Sequence, residues 1–315
     1  MIFQCILTDG DIPHIVRSLR LMECWRGDRV YWSSSSYSVL SGIHAVIENH
    51  KLKLSCSIHK LYSQALTGRL DNSRLCTMSD AVLVIRALFG SAGEGLDIPL
   101  DRITVKYAEI GLSIKMSHSA DNYIRQIISI ESVGNRKELF VDYLYEKNRQ
   151  KVTAKTRNVR KCLKIYDKTF EAAEKDRIVE PDILRVETQY KRMKMPLEEF
   201  ISSSNLQRIL EVYYRDWTSI TWQRRVIGTK GVKSSQLDKA KELIELGKDE
   251  YLAKYRQEWK QGMLSDKAWR TYREFAMNWE SLKSLFLFAP GPLETEFNDR
   301  FHRVYVAGSC DLLSF

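Results

Sequence analysis

No window of the 315-residue chain approaches the ~20 consecutive apolar residues that a helix needs to cross a bilayer, which excludes a helical membrane span. The start is equally short of targeting features. Met1 to Leu7 is apolar, but no basic stretch precedes it and Asp9 and Asp11 follow at once, so it does not read as a signal peptide. Cysteines are few and far apart. Cys5, Cys24, Cys56, Cys76, Cys162 and Cys310 form no short paired spacing, which argues against a zinc site or a disulfide frame and for reduced thiols in a cytosolic protein. Repeats and low-complexity tracts are absent too; Ser33 to Ser36 is only a short polar loop. What the chain does have is apolar material: 44% hydrophobic and 10% aromatic residues rule out disorder as its dominant state. The length allows one large or two ordinary domains.

The first two-thirds alternates period-2 and helical patterns. Lys51 to Tyr62 reads as a half-buried strand, with Leu52, Leu54, Cys56 and Ile58 opposite Ser55, Ser57 and His59. Ser79 to Phe89 has helical spacing, with Thr77 or Ser79 as N-cap. Ile103 to Met116 reads as a strand whose phase changes midway: Ile103, Val105, Tyr107 and Glu109 share one face, and a bulge is expected near Gly111. Ser119 to Ile130 reads as a second helix. Cys162 to Lys168 and Ile183 to Arg192 follow as strands, the first placing Lys164, Tyr166 and Lys168 together, the second Arg185, Glu187 and Gln189. These patterns predict an α+β domain over residues 1–195, an antiparallel sheet with helices on one face. A mainly helical region is expected over 196–315, with helices at 197–217, 235–262 and 265–288, a linker at 228–235 and a short strand at 301–306.

The formal charge of +9 is concentrated. Between Lys147 and Lys168 nine Lys/Arg face one acid, Asp167, an excess of eight. A solvated strand–loop–strand surface would account for such a run. Phosphate contact would as well, through Lys151, Lys155, Arg157, Arg160 and Lys161, with Arg185 and Lys191 on the next strand, because cations displace the counterions condensed on a nucleic-acid backbone. Aromatics among cations at 213–225 have the same two readings, core packing or base stacking.

The polar strand faces offer His59, Glu109, Tyr166 and Glu187. Two carboxylates and an imidazole suit a hard divalent cation that keeps open positions for a phosphate. Tyr166 between Lys164 and Lys168 would be a nucleophile whose phenolate two cations favour. Read blandly, the same residues are a surface aromatic among lysines and a glutamate in an ion pair.

The segments Lys164-Ile165-Tyr166-Asp167-Lys168 and Ile183-Leu184-Arg185-Val186-Glu187-Thr188-Gln189-Tyr190-Lys191 resemble a paired signature of rolling-circle replication initiators of the filamentous-phage gene II/gene X type. Leu54 to Lys60 and Ala108 to Ile114 resemble two upstream segments of the same family. The chain departs from that pattern in lacking a His-hydrophobe-His pair, and in having Ile110 and Ser113 where an aromatic and Asn are expected. The resemblance spans about Leu54 to Met195 and implies a replication-initiator nuclease-like fold. It makes Tyr166 the nucleophile, Lys164 or Lys168 phosphate contacts, Glu109 and Glu187 metal ligands, and His59 a third ligand or a phosphate-orienting group. The implied cofactor is Mg²⁺ or Mn²⁺. The implied partners are single-stranded or supercoiled origin DNA and a host helicase and polymerase, in the cytoplasm of a bacterial host. The expected activity is strand nicking that leaves a 5′-phosphotyrosine and a free 3′-OH. The alternative is a non-catalytic origin-binding regulator on the same scaffold; a cytosolic scaffold protein is a third reading that leaves the basic run unexplained.

Overall fold

The computed structural model describes residues 1–34, 42–70, 75–91, 95–132, 135–141, 153–156, 160–173, 180–231 and 233–309, with the backbone path alone over 131–141 and 153–156. The chain divides into two compact units. The first comprises residues 1–125, 129–220 and 297–315, the second 126–128 and 221–296. The boundary expected after Met195 therefore falls inside the first unit, because the helices that follow it belong to the core of that unit.

The first unit is α+β. Its strands are β1 (Ile2–Ile6), β2 (Met22–Arg26), β3 (Arg29–Ser33), β4 (Ile43–Glu48), β5 (Lys51–Cys56), β6 (Ile103–Lys115), β7 (Ile127–Ser132), β8 (Asn135–Val141), β9 (Thr153–Thr156), β10 (Lys161–Asp167), β11 (Ile183–Tyr190) and β12 (Met195–Pro196). They follow one another across the sheet in the order β7-β8-β9-β10-β11-β6-β1-β5-β4-β3-β2, with β12 beside β6. Each of these pairings is antiparallel. The helices are α1 (Asp11–Ser18), α2 (Ile58–Thr67), α3 (Met78–Phe89), α4 (Ala120–Gln126), α5 (Lys168–Ala173), α6 (Leu197–Phe200) and α7 (Ser203–Thr218).

Local chemistry explains where several of these begin. Ser57 accepts a hydrogen bond from Lys60 N and opens α2, so the strand expected to run through Tyr62 stops at Cys56. Thr77 and Asp80 form a reciprocal capping box for α3. Asp167 accepts from Phe170 N and turns the end of β10 into α5. The Ile103 strand is present, but its phase changes earlier than expected. Ile2 pairs with Tyr107 and Phe3 with Val105, so the irregularity sits at Lys106 and not near Gly111. Val105 and Ala108 both reach the core in consequence, while Tyr107, Glu109, Gly111 and Ser113 fall together on the opposite face.

The core gathers Phe3, Cys5, Leu52, Leu54, Ile103, Val105 and Ala108 from the sheet with Ile58, Ile85, Phe89, Leu197 and Phe200 from the helices. On the Leu184–Val186–Thr188 side, α7 buries Tyr213 and Trp217 completely. Tyr213 Oη donates to Val186 O and Trp217 Nε1 to Thr188 Oγ1. Two of the aromatics weighed for base stacking are thus core residues.

The second unit contains the two-stranded sheet of β14 (Arg225–Thr229) and β15 (Phe286–Ala289), reached through β13 (Ile220–Trp222). Its helices are α8 (Ser234–Leu246), α9 (Lys248–Lys260), α10 (Asp266–Met277) and α11 (Trp279–Leu282). The linker expected at 228–235 is largely the end of β14 and the start of α8. The long pattern expected over 235–262 is broken at Gly247, whose φ of +79° favours glycine over other residues. The pattern expected over 265–288 ends in α11 and β15. α12 (Pro292–Ser309) starts with a proline in its first turn, where the missing N–H costs nothing, and covers the segment expected as a strand at 301–306.

Candidate functional site

Strands β10, β11 and β6 lie side by side, and their registers place the expected chemistry on one face. Tyr166 is opposite Arg185, which is opposite Ser113; Lys164 is opposite Glu187, which is opposite Gly111; Cys162 is opposite Gln189, which is opposite Glu109. Period-2 alternation then points Tyr166, Glu187 and Glu109 to the same side of the sheet.

Tyr166 Oη donates to Glu187 Oε1 at 2.8 Å, and Arg185 Nε donates to the same oxygen at 2.6 Å. Arg185 Nη1 donates to Ser113 Oγ at 3.0 Å. All three of Tyr166, Arg185 and Glu187 are buried, at 6%, 6% and 3% exposure. Gly111 makes the approach possible: a Cβ there would stand 2.8 Å from Glu187 Cγ and 3.0 Å from Arg185 Nη2.

Burial, followed by the negative charge of Glu187, pushes the Tyr166 phenol well above its ordinary value, with Arg185 opposing. The phenolate expected from two flanking lysines is therefore not what the geometry favours. Lys164 does lie against the ring, its Nζ 4.1 Å from the centroid. Lys168 does not share that face: it is the first residue of α5, is buried, and is ion-paired with Glu171. Burial, partly offset by Glu171, lowers the Lys168 ammonium. At Arg185 burial works against the charge, and Glu187 more than offsets it.

Glu109 is exposed and accepts from Tyr107 Oη at 2.7 Å and from Gln189 Nε2 at 2.9 Å. Burial and the bond to Glu109 raise the Tyr107 phenol. His59 is on α2, not on a strand. It nonetheless lines, with Tyr107, Glu109, Gly111 and Arg185, a cavity of about 400 Å³ whose other walls include Val82, Ile85 and Phe200. Among the described residues no three His, Cys, Asp or Glu side chains cluster as a metal-binding group. The donor chemistry divides the expected ligands. Glu109 and His59 line the same cavity and offer an oxygen and a nitrogen donor, the types a divalent cation takes. Glu187 is held by a guanidinium, which opposes a second cation at that oxygen.

The expected DNA contacts scatter. Arg185 belongs to the buried network, and Lys161 is ion-paired with the buried Asp216. Arg160 is exposed and Lys191 half-buried. Lys147, Arg149, Lys151 and Arg157 lie outside the described residues, as does the side chain of Lys155 on β9.

Sequence reasoning passed over Ser113 and Gln189 as partners of the site. Both could have been found by pairing the two period-2 faces of β6 and β11, which carry them at alternate positions beside Gly111 and Glu187.

The chain matches no model of a known protein family, and no curated protein matches it in sequence. No helix among the described residues is long and apolar enough to cross a membrane.

Proposed function

We propose that the protein is a DNA-nicking replication initiator whose nucleophile is Tyr166. The observation that carries this reading is the hydrogen bond from Tyr166 to Glu187 on a sheet face that also bears Glu109. A phenol raised above its ordinary value needs a base, and the Glu187 carboxylate is in reach of its proton. The Tyr166 oxygen attacks a phosphodiester phosphorus as its proton passes to Glu187. The bond from phosphorus to the 3′ oxygen breaks, that oxygen takes a proton, and a 5′-phosphotyrosine and a 3′-OH remain. Arg185 fixes the carboxylate and Lys164 holds the ring. Glu109 and His59 would hold a divalent cation, Mg²⁺ or Mn²⁺, which supplies polarisation of a phosphoryl oxygen. Exposed Arg160 and the adjoining basic run supply phosphate contacts, with origin DNA as substrate and a host helicase and polymerase downstream, in a bacterial cytoplasm.

The test is incubation with single-stranded or supercoiled origin DNA and Mg²⁺ or Mn²⁺, followed by a search for a denaturant-resistant protein–DNA adduct. The adduct is expected from the wild type and lost in Tyr166→Phe. Its absence under every metal condition, with folded protein, refutes the nicking reading. One observation favours a second reading, a non-catalytic origin-binding regulator: Tyr166 is only 6% exposed, so a phosphate reaches it only after the face opens. That reading expects DNA binding without an adduct.

A further inference from the structure

The second unit has a cavity away from any residue discussed so far. Helices α9 and α10 run antiparallel through the turn at Gly262, and the groove between them is lined by Asp249, Leu252, Ala253 and Arg256 from α9 with Trp259 at its end, and by Trp269, Arg273 and Met277 from α10. Its volume is about 570 Å³. On the buried side the two helices are clamped by Tyr255 and Tyr272, whose rings stack at 3.7 Å and 11°. The residues following these tyrosines are Arg256 and Arg273, so the clamp that holds the helices together also brings two guanidiniums onto one groove.

Three features of the groove call for an occupant. Trp259 and Trp269 stack at 6.1 Å and 16°, with Trp259 held in place by its indole N–H donating to Asp266 Oδ1 at 2.7 Å. Both rings keep part of their surface exposed, as do Leu252 and Met277. Arg256 and Arg273 are exposed and have no hydrogen bond or ion pair among the described residues. Asp249, two turns before Arg256, is the one acidic residue among those lining the groove. Lys260, one turn after Arg256, extends the cationic rim. Two like charges facing a shared groove repel, and an anion between them removes that cost. Flat rings beside paired guanidiniums suit a ligand that alternates flat bases with phosphates, and only unpaired bases expose their faces.

We infer that the α9–α10 groove binds single-stranded DNA, with bases stacking on Trp259 and Trp269 and backbone phosphate held by Arg256 and Arg273. The choice of DNA over other anionic polymers rests on the function proposed above; the site itself is separate from Tyr166.

The experiment measures binding of a fluorescein-labelled oligo(dT) 12-mer to the full chain by anisotropy, with tryptophan fluorescence read in parallel. The wild type is expected to bind with quenching of tryptophan emission. The double variant Arg256→Glu/Arg273→Glu, at two exposed positions, is expected to lose at least tenfold in affinity and most of the quench. If the two arginines meet two phosphates, the slope of log affinity against log salt falls by about 1.4, at roughly 0.7 per phosphate on a single strand. A variant with wild-type affinity and slope, or a wild type that binds oligo(dT) without quenching or not at all, overturns the inference. Tyr166→Phe should bind oligo(dT) as the wild type does. Absence of the covalent adduct from the wild type with intact groove-dependent binding counts against the nicking reading alone, and an adduct without groove-dependent binding counts against this site alone.

Discussion

Tyr166 and Arg185, directly opposite each other on β10 and β11, converge on one carboxylate oxygen: Glu187 Oε1 receives the phenol at 2.8 Å and the guanidinium at 2.6 Å. Removing the shared acceptor leaves both donors stranded. Glu187→Ala should therefore destabilise the fold by about 3 to 5 kcal/mol, because it leaves an unpaired buried guanidinium. Denaturant unfolding measures this, and a loss below about 1 kcal/mol would show that the network carries little of the stability. Glu187→Gln, which keeps an acceptor oxygen but no charge, should lie between wild type and Ala.

The same burial predicts an alkaline limit. Tyr166, Tyr107, Tyr190 and Tyr213 all have phenols pushed above the ordinary 10.0, in each case first by desolvation. A raised folded-state pKa means that their stabilisation is complete below pH ~10 and is lost as pH rises above it, because the unfolded chain then ionises first. Tyr251, Tyr255 and Tyr305 are raised by burial as well, so tyrosinate absorbance should appear in two phases, exposed tyrosines first and these buried ones only with loss of far-UV circular dichroism. A single smooth titration at pH ~10 with the fold intact contradicts the assignment.

At the acid end, Asp11 is the marker. Its carboxyl is held down to about 2 by the Arg102 guanidinium at 2.7 Å and by the Thr8 backbone N–H. That depression contributes stability above pH ~4 that is lost as pH falls towards 2. Asp11→Asn should make stability less steeply dependent on pH across that window; an unchanged slope removes Asp11 from the acid transition.

Gly111→Ala tests the spacing of the sheet. Its methyl group would meet Glu187 Cγ at 2.8 Å and Arg185 Nη2 at 3.0 Å, both inside a buried network with little room to give. The expected cost is about 1 to 3 kcal/mol, accompanied by a Tyr166 phenol that titrates earlier as its partners shift. A stable variant with an unchanged tyrosine titration would mean that Glu187 is freer than the contacts imply.

Much of this site was legible because β10, β11 and the part of β6 beyond Lys106 alternate, and alternation alone sorts Tyr166, Glu187 and Arg185 onto a face. Two local signals were outweighed by that alternation. Ser57 and Asp167 are short polar side chains that cap helices; the strand at Ser57 stopped six residues before the expected limit at Tyr62 and the strand at Asp167 one residue before Lys168, taking His59 and Lys168 off the sheet. Burial was the harder matter. A face bearing Lys, Arg, Glu and Tyr reads as solvated, and period-2 spacing says nothing about ion pairs that let such a face be covered. The helical tail was misread for a related reason: Leu197 to Thr218 has the pattern of a helix, but which unit owns it depends on Tyr213 and Trp217 finding Val186 and Thr188 far back in the chain.

The irregularity at Lys106 joins two halves of β6 that would otherwise be out of step. Upstream, Ile103 and Val105 keep time with β1; downstream, Ala108 and Ile114 keep time with β11. The odd residue between them acts as a splice, letting Val105 and Ala108 face the same core although three positions separate them. Loss of a single codon between Val105 and Ala108 would leave those two residues two positions apart, the regular alternation, so the bulge would vanish while both halves kept their present faces. At the present length of that stretch, it is the bulge that keeps the carboxylates and the greasy core of β6 on their separate sides.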